Sequence, residues 1–429
     1  MCVRPGQARG RTGAQVNRTG TGRSLALLLA AWGVTRLVLL LFVFRVFVFP
    51  GADVTTDVSV IYQGWYHVLR HGTFPLNDVT WQYPPAAALA ILSPGLLPFL
   101  GYATAFFVLA CLADLTVLSL LLYAGLRPGR SLRGALVWVA GVPPLGPTVY
   151  ARYDLMVTAV AVAALLAGAR HPRVLGVLAG LGAMVKVWPG LIPAGLRGGA
   201  GRRAWAAAAV TAGSLAALFA VSMPGAFTFL TAQRDRGTEV ESLGALVFHV
   251  ARHFGWQGQV LLNYGSVEFL GPYVAVVSTA SLTLTGAAFG WLLLWRSRAT
   301  RFPPTAPADA AFTAVLMFTV TSRVISPQYL VWLIGLAGVC LCFRESRMLL
   351  PALLLLAAAF VTVLEFPIGF VHVVTSDLYG TGLLFLRNGL LLTAALLATH
   401  RLWRSTVSET PTSTLPSQTT RTKGSTVPS

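Results

Sequence analysis

An all-α, polytopic membrane protein is the fold class this sequence predicts, and three observations carry that reading. Hydrophobic residues fill 55% of the 429 positions and charged residues only 11%, with a mean hydropathy of +0.70, well beyond what a soluble core of this size needs. Several windows reach the ~20 apolar residues that cross a hydrocarbon layer roughly 30 Å thick. Arginines fall in short clusters between the apolar runs, so the net charge of +18 reads as the bias of cytoplasmic loops and not as a nucleic-acid surface.

Taken in order, the Gly/Arg-rich stretch 1–23 and the Ser/Thr-rich stretch 401–429 are expected to be disordered cytoplasmic tails around a membrane domain at 24–400. The first span, Ser24–Phe49, ends in bulky residues with no small-residue cleavage site, so it is predicted to stay as an anchor. The clusters Arg127/Arg130/Arg133, Arg170/Arg173, Arg197/Arg202/Arg203, Arg296/Arg298/Arg301 and Arg344/Arg347 should face the cytoplasm. That leaves 50–85, Tyr150–Asp154, 225–270, Arg323–Tyr329 and 365–379 to face outward. Two segments strain this alternation. Residues 84–126 are too long for one helix and carry Pro94 and Pro98 near their start, and 174–196 holds Lys186 and Pro189 in its middle. Broken or re-entrant helices reconcile both, because irregular backbone survives at membrane depth where it lines a cavity. The expected total is about 10–12 hydrophobic helices, some of them half-length, with both termini inside. Cys2, Cys111, Cys340 and Cys342 show neither metal nor disulfide spacing, and no glycine-rich phosphate loop follows a strand.

The richest polar interval is Pro50–Pro85, with Asp53, Asp57, His67, His71 and Asp78. Thr56 or Asp57 can cap a helix whose apolar face is Val58, Ile61, Tyr62, Trp65 and Leu69, ended by Gly72 and Pro75 and suited to lie at the interface. A carboxylate there is either a cap or a general base placed to take a proton from a bound hydroxyl, Asp57 first and Asp53 second. A second amphipathic stretch, Leu243–Phe254, carries His249 and His253 four residues apart. That is metal-ligand spacing, but without an obvious third ligand.

Lys186 lies in LAGLGAMVKVWPGLIPAGL, where a buried ammonium costs several kcal/mol unless paired or hydrated. It either snorkels to an interface or holds an anionic lipid phosphate beside the helix break. Arg323 and Arg387 are the other charges on the outer half of spans. Arg152 and Asp154 are expected to pair with each other, and Asp114 and Glu365 to hydrogen-bond between helices. Trp81, Tyr83, Gln328, Tyr329 and Trp332 could line a sugar site, although interfacial aromatics also form membrane belts.

The runs DVSVIYQGWYHVLRHGTFP, WQYPP, YARYDLMVTAVAVAALLA, GLGAMVKVWPGLIP, SPQYLVWL and LRNGLLL occur in this order between Asp57 and Leu392, within a match that covers about residue 25 to 400. Together they resemble the polyprenol-phosphate-mannose-dependent mannosyltransferases of glycosyltransferase family 87, in the GT-C superfamily of membrane-embedded glycosyltransferases. The resemblance implies a GT-C-like fold. It also implies transfer of a sugar, usually mannose, from a polyprenyl-phosphate carrier to a glycan or glycolipid acceptor on the outer face of a cell membrane. It assigns Asp57 as general base, with Asp53 second, Lys186 to the donor phosphate, and the pair Arg387–Asn388 to the site. Where relatives carry a Gly-Gln-Val-Asn turn, this sequence reads Ala151-Arg152-Tyr153-Asp154, which fits a divergent subgroup.

On that resemblance, Lys186 with Arg387 or Arg323 neutralises the leaving phosphate, and Tyr83, Trp81, Gln328, Tyr329, Asn388 and His249 form the substrate surface. A single displacement inverts the anomeric carbon, with no cofactor and no metal expected. The competing class is a transporter or flippase of lipid-linked sugars, which would also need broken helices and midplane charges. Against it, the sequence shows no internal repeat, and its polar candidates gather on one face. A membrane scaffold gives no reason for Lys186 and Arg387.

Overall fold

The structure, a computed structural model, describes residues 9–76 and 78–407. The ends of the two expected tails, 1–8 and 408–429, lie outside the described residues. The near parts of those stretches continue helices instead: α1 spans Arg9–Val43, and its membrane-length apolar portion is Gly22–Val43. A π-helical turn, Asp57–Tyr62, leads into α2 (Gln63–Leu69). The strained segment 84–126 resolves into a short helix, α3 (Ala87–Leu92), running on as a 3-10 turn to Leu96, and then the full span α4 (Tyr102–Gly125). Next come α5 (Arg133–Gly141), a 3-10 stretch Pro143–Val149 and α6 (Asp154–Gly168), the last two meeting at a bend of 119°.

After α7 (Pro172–Val185), a 3-10 turn over Trp188–Gly195 and α8 (Gly198–Ser222), the long interval opens with α9 (Phe229–Asp235). It continues through β1 (Thr238–Glu239), α10 (Leu246–Arg252), β2 (Gln259–Asn263) and β3 (Ser266–Leu270). The three strands form an antiparallel sheet in the order β1-β3-β2, with Glu239 opposite Glu268. This sheet is a departure from an all-helical expectation, and its strands are too short to show a period of two. Five helices and a short one close the chain: α11 (Val274–Arg298), α12 (Ala306–Thr321), α13 (Tyr329–Leu341), α14 (Leu349–Val363), α15 (Phe370–Thr375) and α16 (Leu378–Thr406).

Among the described residues six helices are long and apolar enough to cross a membrane, or seven if the bent pair is one span. Four shorter apolar helices accompany them. The fold is thus a polytopic, mostly helical membrane fold. At its centre is α13, buried at every position from Leu330 to Leu341; a helix apolar all round belongs inside. Small residues set the closest approaches: a Cβ on Gly134 would come within 2.2 Å of the Gly338 carbonyl oxygen, and on Gly176 within 2.1 Å of that of Ala204. Such contacts let helices gain dispersion energy where water supplies no hydrophobic drive.

The basic clusters come together at their loops. Arg344 donates to the Arg130 carbonyl and Arg401 to that of Arg347, while Arg197 donates to Thr300, whose N–H bonds the Thr406 carbonyl.

Candidate active site

The organising irregularity is the break at Lys186. Pro189 has no N–H to give the Val185 carbonyl, so α7 ends there; Lys186 takes an extended backbone (φ −156°, ψ 129°) and the chain resumes as a 3-10 turn. Its ammonium donates to Asp154 Oδ1 at 2.7 Å, the same oxygen that accepts from Trp332 Nε1 at 2.6 Å. Four rings surround it, Trp332, Tyr153, Tyr329 and Tyr83, at 4.8, 5.2, 5.3 and 5.5 Å from Nζ. A cation held by one carboxylate and several π-faces keeps its charge away from water without being fully neutralised.

Arg152 and Asp154 do not pair with each other, contrary to the sequence expectation. Residues two apart on one turn do not face each other. Arg152, before the helix, reaches Asp57, while Asp154, the first residue of α6, takes Lys186. The two carboxylates therefore belong to one relay, joined through the turn 152–154. Near both is Tyr83, packed edge-on to Tyr153 at 5.3 Å. Burial, with the Asp154 and Asp57 carboxylates, pushes the Tyr83 phenol up to about 12, Arg152 working the other way.

Beside this relay lies a cavity of about 380 Å³ lined by Tyr83, Lys186, Arg236, Arg323, Gln328 and Tyr329, among others. Phe229, Leu230, Leu282 and Phe318 form its apolar flank, and Leu230 and Leu282 are exposed on the helix surfaces. Three cations thus face one space. Arg236 pairs with Glu268 at 3.0 Å; burial lowers the affinity of its guanidinium for the proton, but Glu239, Tyr329 and Glu268 outweigh that and raise it. Arg323 bonds the carbonyls of Arg236 (2.7 Å) and Gln233 (2.6 Å) and the Ser278 hydroxyl (3.2 Å). Burial and the neighbouring Arg236 push it below its ordinary value, so an entering anion would relieve it.

The other residues singled out from sequence sit elsewhere. Asp53 lines a second cavity, of about 260 Å³, under the end of α1, in an exposed pair with Arg45. Asp57 is outside the lining of the main cavity, with a side chain 30% exposed. Trp81 is buried among Trp65, Phe74 and Tyr83, so its ring packs the loop and does not face the cavity. His249 is fully buried: its Nε2 donates to the Val240 carbonyl and its Nδ1 accepts from the Ser376 hydroxyl, both at 2.7 Å. Burial pushes its imidazole down to about 4, and no group of three His, Cys, Asp or Glu among the described residues is placed to hold a metal ion. Arg387 and Asn388 are buried behind the cavity wall; Arg387 pairs with Glu365 at 3.0 Å and Glu241 at 3.6 Å. Sequence reasoning missed Arg236. The charge-dense run Arg234–Glu239, within the long polar interval 225–270, was the available signal.

The profile described as Glycosyltransferase family 87 matches residues 81–327. The chain belongs to glycosyltransferase family 87. Within this membrane glycosyltransferase the matched span holds Tyr83, Arg152, Asp154, Lys186, Arg236 and Arg323, and Asp57 lies before it. No curated protein matches the chain. Two crystal structures of ArnT from Cupriavidus metallidurans are similar to the family 87 chain, in the apo state at 15% identity and TM-score 0.45 and bound to undecaprenyl phosphate at 14% and 0.44. The alignments cover 91% and 88% of this chain and 78% and 76% of the ArnT chains.

Proposed function

We propose that this glycosyltransferase moves a hexosyl group, mannose first among candidates, from a polyprenyl-phosphate donor to a glycan or glycolipid acceptor at the outer face of a cell membrane. The observation that carries the reading is the cavity itself: Lys186, Arg236 and Arg323 face one space with an apolar flank. That combination suits a phosphate at one end of an isoprenoid chain. The leaving phosphate needs neutralisation more than a proton, and preorganised cations are worth most in such a partly buried site. Asp57, held by Arg152, takes the acceptor hydroxyl proton as that oxygen bonds to the anomeric carbon. The bond from that carbon to the phosphate oxygen breaks, and the anomeric configuration inverts.

The test is purified protein in lipid nanodiscs, given radiolabelled polyprenyl-phosphate sugars and candidate acceptors. Label should pass from the mannosyl carrier to a lipid- or glycan-linked product. Each charge-assisted contact to a phosphate is worth about 1.5–3 kcal/mol, so Lys186→Met and Arg236→Ala should each raise the donor KM roughly 10- to 150-fold. Unchanged donor KM in both variants would sink the assignment of this cavity.

A further inference from the structure

Arg387 and Asn388 are completely buried, yet neither lines the cavity. What they hold is backbone. Arg387 Nη2 donates to the Glu241 carbonyl, and Asn388 Nδ2 reaches the same carbonyl at 3.3 Å and that of Ser242 at 3.5 Å. The neighbouring residues of this strip are held as closely. His249 Nε2 donates to the Val240 carbonyl at 2.7 Å, and the Glu239 N–H donates to the Arg323 carbonyl at 3.1 Å. The Glu239 carboxylate accepts from the Ile325 N–H at 2.6 Å and the Ser326 hydroxyl at 3.0 Å. Four consecutive residues, 239–242, are therefore fixed from α16 and α10 on one side, while on the other they splint 323–326, which contributes Arg323 and Ser326 to the cavity wall.

We infer that Arg387 and Asn388 are positioning residues that set Arg323 in the donor cavity through the backbone of 239–242, without touching the donor. The inference rests on the donor site proposed above. Arginine suits the post because its planar fork serves two carboxylates and a carbonyl at once, which a lysine point charge does not. Glu365, fully buried on the kink after α14, and Glu241 both meet the Nη1 of that fork, so the strip cannot slide along α16 without stranding a buried charge.

A double-mutant cycle separates this role from direct contact, because residues acting through one another are non-additive whereas independent contacts add. Asn388→Ala is expected to raise the KM for polyprenyl-phosphate sugar about tenfold with kcat at saturating donor unchanged. In an Arg323→Ala background the same change should raise it less than about twofold. A full tenfold effect in both backgrounds would show that Asn388 meets the donor itself and would overturn the inference. So would an unchanged KM accompanied only by a lowered melting temperature. Should Asn388→Ala not reach the membrane, the neutral, similarly sized Asn388→Leu, which removes the donor to the two carbonyls without adding a charge, is read in the same way. Failure of the unaltered protein to bind any polyprenyl phosphate would instead remove the donor site, and the inference with it.

Discussion

Asp57→Asn is expected to lower transfer by about 10²- to 10⁴-fold, the range a positioned general base supplies, with donor binding and membrane insertion retained. The side chain opens the π-helical turn Asp57–Tyr62 and is the more accessible of the two relay carboxylates, 30% exposed against 2% for Asp154. Asp154 is buried and gives its Oδ1 to both Lys186 and Trp332, so it is the less available of the two to an acceptor. Asparagine keeps the shape of Asp57 and an oxygen for Arg152, but it cannot carry away a proton, and the change therefore isolates the chemical step. Asp53 provides the contrast. Burial pushes its carboxyl up, but the Thr55 hydrogen bonds and Arg45 together outweigh it and hold it below the usual range, which weakens it as a base. Its pair with Arg45 is exposed, so Asp53→Asn should cost at most about 1 kcal/mol of stability and leave turnover within a few-fold. Initial rates at saturating donor decide between them: near-normal turnover by Asp57→Asn removes Asp57 from the role.

The contrast between what sequence showed and what it hid follows from range. Hydropathy is local, so the spans were legible, as was the break at Lys186, where a proline three residues on removes a particular N–H. The cost of a bare ammonium in an apolar run likewise singled out Lys186 before its partners were known. The partners are a tertiary matter. Arg152 and Asp154 are neighbours in the chain and were expected to bond, yet each turned to a group far away in sequence, Asp57 and Lys186. Arg387 shows the same limit. Its position in a span marked it as important, but Glu241 and Glu365, 146 and 22 residues away in sequence, decide that it faces the back of the cavity wall. Arg236 was hidden because a charge in a polar loop costs nothing to expose, and only the fold of the loop around β1 and β3 turns it inward.

The buried pair Arg36–Asp114 should carry the largest single contribution to stability. Asp114, expected from sequence to hydrogen-bond between helices, does so with three residues. It accepts from Arg36 Nε at 2.8 Å and Nη2 at 3.3 Å, from Trp138 Nε1 at 2.6 Å and from the Tyr150 hydroxyl at 2.6 Å. Arg36 in turn donates to the carbonyls of Val139 (3.0 Å) and Trp138 (3.2 Å), so α1, α4 and α5 are tied at one point. Arg36 and Asp114 are 2% and 0% exposed, and neither can turn to water if the other is lost. Asp114→Ala leaves a guanidinium, an indole N–H and a phenol without their acceptor, and the expected cost is about 3–5 kcal/mol. The double change Arg36→Met with Asp114→Leu should recover most of it, because the desolvation penalty of both charges goes with them. Reversible unfolding in mixed detergent measures both. A loss below about 1 kcal/mol for Asp114→Ala would mean that water already reaches the pair. A double variant no better than the single would mean that the ion pair, and not the relief of an unpaired charge, is what holds the three helices together.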